Sequence, residues 1–155
     1  MVTQKYITGK NIVTQARTWL GTPWHHAARC KNAGVDCVGL LVGVLQEVGY
    51  PVQDFAAYDL GDQFSELLRR IELHADPVAD GDVRAGDILV FRARLMYNHC
   101  GWANGAGGVI HAWRSVGKVV EHPLDAHWQG WIAGRYRLRE LALFPDREGI
   151  DRGAR

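Results

Sequence analysis

The chain reads as an α+β domain in which helices come first and antiparallel strands second. Apolar residues recur at helical spacing through the first half, whereas the second half holds short apolar runs separated by glycine-rich turns. Its 155 residues are enough for one buried core, and no internal repeat or Pro/Ser-rich linker divides them. One domain is therefore expected over 1–140. The polar, charged tail 141–155 is expected to fray.

The elements follow in order. Asn11–Leu20 carries Ile12, Val13, Ala16, Trp19 and Leu20 at helical spacing, and Gly21-Thr22-Pro23 ends it. Trp24–Val35 reads as a loop. Asp36 is a good N-cap for a second helix whose buried face is Cys37, Leu40, Leu41, Val44, Leu45 and Val48, closed by Gly49 and Pro51. A third helix is expected over Gln63–Leu73, with Phe64, Leu67, Leu68 and Ile71 on one side. Ile88–Phe91 reads as a buried strand. His99–Ala103 and Val109–Trp113 flank the glycine-rich connection Asn104–Gly108 of a hairpin. Gly117–His122 and Trp131–Leu138 complete the sheet. The last strand turns Ile132, Tyr136 and Leu138 one way and Arg135 and Arg137 the other. Arg135, Arg137 and Arg139 read as a solvated face.

Composition narrows the function. Eighteen Lys and Arg against seventeen Asp and Glu leave a formal charge of +1, without the basic excess of a dedicated nucleic-acid binder. There is no run of about 18 apolar residues, so no membrane-spanning helix is expected. The N-terminal segment MVTQKYITGKNIV lacks the apolar stretch of a signal peptide, which predicts a cytoplasmic start. Three cysteines are an odd number, so at least one thiol is unpaired within the chain.

Cys37 falls in the first turn of the second helix. Unpaired N–H groups and the positive end of the helix dipole there favour thiolate, the nucleophilic form. The competing reading is a small buried hydrophobe, the commoner fate of a free cysteine. A nucleophile needs a base, normally histidine, and often a third group to orient it. Strands pairing symmetrically about Gly105 would set His99 opposite His111, with Cβ atoms roughly 4.5–5.5 Å apart. A slip of one residue would separate them. Cys100, adjacent to His99, is expected to point into the core as a bystander. His25, His26 and Cys30 share one loop, but their spacing matches no standard zinc pattern, and neither metal nor cofactor is expected. His74, His122 and His127 read as surface residues. The tryptophans read mostly as core packing, except Trp24 and Trp113 beside the catalytic candidates.

Several motifs carry a family resemblance. Val35-Asp36-Cys37-Val38-Gly39-Leu40 resembles the Asp-Cys-Ser-Gly-Phe nucleophile motif of NlpC-type cell-wall peptidases. Leu20-Gly21-Thr22-Pro23-Trp24 is similar to that family's Leu-Gly-Thr-Pro-Tyr, and Arg84–Phe91 to its Arg-x-Gly-Asp-Leu-x-x-Phe. Asn98-His99-Cys100-Gly101-Trp102 and Val109-Ile110-His111-Ala112 resemble its paired histidine motifs. Trp24 stands where the family has Tyr, and Val38 where it has Ser.

The resemblance implies a papain-like fold and a catalytic triad of Cys37, His99 and His111. It implies hydrolysis of peptidoglycan stem peptides at the γ-D-glutamyl–diamino acid bond. Trp24, through its indole N–H, and Asp36, through a cationic substrate amine, are candidate substrate-binding residues. The segments His25–Cys37, Glu121–Leu124 and Gly130–Tyr136 resemble the subgroup found in phage tails and gene-transfer particles. That implies tail subunits as partners and delivery to the wall by the particle. An amidase, an acyl transferase or thioesterase on the same scaffold, or a non-catalytic tail component are the alternatives. A Cys30–Cys37 disulfide would silence the nucleophile, so reduced thiols are expected.

Overall fold

A computed structural model describes residues 6–54, 63–93, 96–139 and 141, without the side chains of residues 63, 64, 93 and 96–98. The side chain of Phe64 and the tail beyond 141 thus lie outside what is described. The helices are α1 (Gly9–Arg17), α2 (Cys37–Glu47), α3 (Gln63–Glu72) and α4 (Ala126–Gly130). The strands are β1 (Arg29–Cys30), β2 (Gly34–Val35), β3 (Ala75–Pro77), β4 (Ile88–Ala93), β5 (Met96–Ala103), β6 (Gly108–Trp113), β7 (Lys118–Pro123) and β8 (Ile132–Leu138). Six form one sheet in the order β3-β8-β4-β5-β6-β7, whose pairings are all antiparallel, while β1 and β2 form a small separate hairpin. The α+β expectation holds.

Helix α1 starts two residues earlier than its apolar pattern. Thr8 and Asn11 cap each other's backbone N–H groups reciprocally, at 3.1 and 3.2 Å. It ends at Arg17, and the following Gly21-Thr22 segment pairs with Val119 of β7. The segment read as a loop contains the β1–β2 hairpin. Glu47 ties that hairpin to α1 and α2 by accepting from Lys31 Nζ at 2.6 Å, Gln15 Nε2 at 2.9 Å and the Trp19 indole.

The sheet buries both faces. Ile88, Val90, Cys100, Trp102, Ile110 and Ala112 meet Ile12, Ala16, Leu40, Leu41 and Val44 of α1 and α2 in the main core. Leu89, Phe91, Ala103 and Val109 form a smaller cluster on the other side with Trp128 of α4. A register shift between Val90 and Phe91 moves Ile132 into this second cluster. Ile132 therefore parts company with Tyr136 and Leu138, which stay in the main core, contrary to simple alternation. Leu141 also packs into the main core.

Arg135 and Arg137 of β8 and Arg139 just beyond it do not form the free solvated face expected of them. Arg135 pairs with Asp80, Arg139 with Asp76, and Arg137 forms two bonds of 2.9 Å to fully buried Asp87. Asp87 also accepts from Arg84 N–H at 2.8 Å, closing the turn through Gly86, whose φ is +82°. The Gly-Asp pair thus clamps β8 at the start of β4. Replacing Asp87 by Ala leaves Arg137 facing a void. Urea denaturation should show a loss of about 3–5 kcal/mol.

Candidate active site

Cys37 is the first residue of α2. The Asp36 side chain accepts from Gly39 N–H at 2.8 Å as N-cap. The same carboxylate accepts from Ala27 N–H at 2.7 Å and Arg29 at 2.9 Å, and Arg29 continues to Asp54 at 3.0 Å. Asp36 is only 3% exposed and is spent on holding the preceding loop to the helix start.

The thiol of Cys37 is half-buried. Its pKa is pulled from the ordinary thiol range to about 5. A hydrogen bond from Cys100 contributes most, burial opposes, and the hydrogen bond and charge of His99 add to the downward pull. Cys100 carries the reverse shift: the same hydrogen bond, burial and the charge of Cys37 push it well up. Cys100 does lie in the core as expected, but as the proton-holding neighbour of Cys37 and not as a bystander. All three cysteines are free thiols, and Cys30 is exposed.

His99 and His111 meet, though not by the expected register. The observed pairs are Trp102 with Ile110 and Ala103 with Val109, so the hairpin is centred on Ala106, not Gly105. Carried along the strands, this sets His111 across from Gly101. A shift of two in the sum of partner numbers keeps both imidazoles on one face but makes them diagonal neighbours. They still touch, with His99 Nε2 and His111 Nδ1 2.5 Å apart. Gly101 makes the room: a Cβ there would lie 2.8 Å from the Cβ of His111 and 2.9 Å from the Ile110 carbonyl oxygen. Burial first, then the neighbouring His99 and His122, push the His111 pKa down to about 2, so its ring is neutral.

His122 is not the surface residue its sequence context suggests. Its Nε2 lies 2.8 Å from His111 Nε2, and its Nδ1 lies 2.8 Å from the Pro123 carbonyl oxygen. Only strand pairing reveals it: Val109 pairs with His122 and His111 with Val120, so His122 shares the face of His111, again diagonally. Trp128 covers the row, its ring centroid 5.0 Å from those of both His111 and His122. His74 bonds Tyr50 Oη at 3.1 Å, away from this row, and His127 is exposed.

Trp24 is half-buried against the main core with Arg114 stacked over its ring at 5.2 Å. Among the described residues, no group of three or more His, Cys, Asp or Glu side chains is arranged to hold a metal ion. Nor is any helix among them long and apolar enough to cross a membrane.

A cysteine at a helix start, packed on an antiparallel sheet that supplies a histidine pair, defines a papain-like domain with the parts of a thiol nucleophile. The chain belongs to the NlpC/P60 family, whose pattern matches residues 21–137. It is 34% identical over 118 residues to the "Probable endopeptidase" of Corynebacterium glutamicum, covering 76% of this chain and 49% of that protein. It is 23% identical over 134 residues to the gamma-DL-glutamyl hydrolase of Bacillus subtilis, covering 85% and 30% respectively. The crystal structure of the NlpC/p60 domain of the peptidoglycan hydrolase SagA superposes with a TM-score of 0.61 at 21% identity, over 85% of this chain and 98% of that domain. The chain spans about half the length of the first of these relatives and less of the second.

Two predictions arise from this geometry. The thiolate persists above its pKa, so iodoacetamide labelling of Cys37 should stay near its plateau at pH 7. It should fall as pH drops through about 5, not at the pH of an ordinary thiol. In His99→Ala the fall should move to higher pH. Gly101→Ala should cost about 1–3 kcal/mol in thermal or urea unfolding, because the added methyl has no space between the strands. It should also slow Cys37 labelling by displacing His111 and, through it, His99.

Proposed function

We propose that this chain is a cysteine peptidase that cleaves peptidoglycan stem peptides. The observation that carries the reading is the Cys37 thiol at the start of α2, hydrogen-bonded to a histidine that is itself held by a second histidine. With Nε2 of His99 committed to His111, Nδ1 is the nitrogen left for Cys37. His99 takes the Cys37 proton and pairs with the thiolate. The sulfur attacks the scissile carbonyl carbon, and the Cys37 N–H in the first helical turn stabilises the oxyanion, with Trp24 Nε1–H as a second donor. His99 then gives its Nδ1 proton to the leaving amine, the C–N bond breaks and an acyl-enzyme remains. Water, deprotonated by His99, hydrolyses the thioester and restores the thiol. His111 orients His99 throughout. Asp36, fully engaged by three protein donors, acts by placing the loop and the helix start and not by binding a substrate amine.

The family and the similarity to a glutamyl hydrolase support the γ-D-glutamyl–diamino acid bond as the site of cleavage. Val38, where the family has Ser, is 8% exposed and packs into the main core beside the nucleophile, so it offers no hydroxyl there. The Glu121–Leu124 and Gly130–Tyr136 motifs support delivery to the wall by a phage-tail-like particle. Finding the chain in purified particles would check that.

Wild-type protein incubated with intact wall material and defined stem peptides should release fragments identifiable by mass spectrometry. Cys37→Ala and His99→Ala should each lower the rate by at least about a thousandfold while keeping the wild-type circular dichroism spectrum. Undiminished cleavage by folded Cys37→Ala would overturn the mechanism. Turnover of acyl thioesters with no cleavage of any wall type would instead assign the scaffold to acyl transfer.

A further inference from the structure

The row of imidazoles does not stop at His111, and its far end fixes its direction. The Pro123 carbonyl oxygen is only an acceptor, so His122 Nδ1 must carry the proton in their 2.8 Å bond. A neutral His122 then presents a bare Nε2. His111 Nε2, 2.8 Å away, must donate to it. Neutral His111 is left with a bare Nδ1, which accepts from His99 Nε2–H. Neutral His99 is thereby held as the Nε2–H tautomer with Nδ1 bare toward the Cys37 thiol; paired with the thiolate, it carries a proton on each nitrogen.

We propose that His122 is a positioning residue: anchored on the Pro123 carbonyl, it sets the direction of the His99–His111–His122 hydrogen-bond row and so keeps the Nδ1 lone pair of His99 facing the nucleophile. Resting on the peptidase reading for its catalytic meaning, the proposal has a geometric content independent of any substrate. The order of donors is unchanged when His99 becomes cationic, because only Nδ1 gains a proton. The row therefore needs no rearrangement during the reaction. Its surroundings suit it. Trp128 is 6% exposed and lies against His111, His122 and Trp113, and Trp113 stacks on His111 at 5.5 Å. These rings keep water from offering His111 an alternative partner. The N-cap bond from Trp128 N–H to Asp125, 2.9 Å, holds the cover in place.

Nitrogen-15 NMR of the histidine rings tests this in the full chain. In wild type, His111 should be protonated at Nε2 and bare at Nδ1, and neutral His99 likewise. A wild-type spectrum with His111 protonated at Nδ1 would overturn the proposal without any variant. In His122→Leu, His111 loses its acceptor. The His99 tautomers should then mix, and both iodoacetamide labelling of Cys37 and kcat for stem-peptide cleavage should fall about tenfold at unchanged KM. His122→Gln offers an oxygen to His111 and an amide N–H to Pro123, and should recover most of that loss. Wild-type tautomers and labelling rates in folded His122→Leu, or no recovery in folded His122→Gln, would overturn it. If no variant, nor wild type, cleaves wall peptides while the tautomer and labelling effects appear, the peptidase reading fails and the role of His122 stands.

Discussion

The buried carboxylate of Asp36 is the interaction on which the site depends. It gathers two backbone N–H groups and a guanidinium at the point where an irregular loop becomes helix α2. A helix start without such a partner would fray by a residue or two, and Cys37 is the next residue. The arrangement has an electrostatic cost, because the Asp36 charge disfavours a thiolate beside it. The net shift of Cys37 is nevertheless downward, so the hydrogen bonds from Cys100 and His99 outweigh both that charge and burial. Arg29, shared between Asp36 and Asp54, offsets part of the negative charge.

The sheet divides the remaining work between its faces. One face is closed by α1 and α2, so Cys100 and Trp102 are fully buried there, and Cys100 meets the nucleophile from the core side. On the other face, among the described residues, the five-residue α4 contributes Trp128, and there an apolar cluster surrounds a row of imidazoles. Burial neutralises His111, which would be a poor outcome for a charged partner but suits a ring that must donate at one nitrogen and accept at the other. A neutral ring fixed at both nitrogens is a better orienter than a solvated one, because it has no free rotation or tautomer left to lose.

Much of this was legible in the sequence. Helical periodicity located α1–α3, the Asp-Cys pair located the start of α2, and the spacing of His99 and His111 across a glycine-rich turn brought them together. The glycine pattern sets the hairpin centre one residue early, yet the shift preserves the alternation of faces, which is why the two histidines still meet. What stayed hidden depends on contacts between strands not adjacent in the motif. His122 joins the row only because β7 pairs with β6 in a register that no local pattern encodes. Ile132 changes face because of an irregularity in β4–β8 pairing, and Arg135, Arg137 and Arg139 find partners only once Asp76, Asp80 and Asp87 are brought beside them. Alternation places Cys100 in the core, where it lies, but says nothing of which helix lies over it.

The same row clarifies what His99 contributes. Three influences stabilise the thiolate: the helix terminus, the Cys100 thiol and His99. Forming the nucleophile therefore does not rest on His99 alone. In the proposed reaction, returning a proton to the leaving amine does, since Cys100 lies buried with its own proton held firmly. A cationic imidazole has two protons to give. If the Nε2 proton of His99 were lost to the row, the proton facing the substrate would stay in place and the acyl-enzyme step would stall. His111 cannot readily take that proton, because burial and the flanking histidines hold it neutral. The only easy exit is Nδ1, on the side of the reacting atoms. In the proposed mechanism the buried, neutral character of His111 thus does more than orient its neighbour: it chooses which of the two protons leaves.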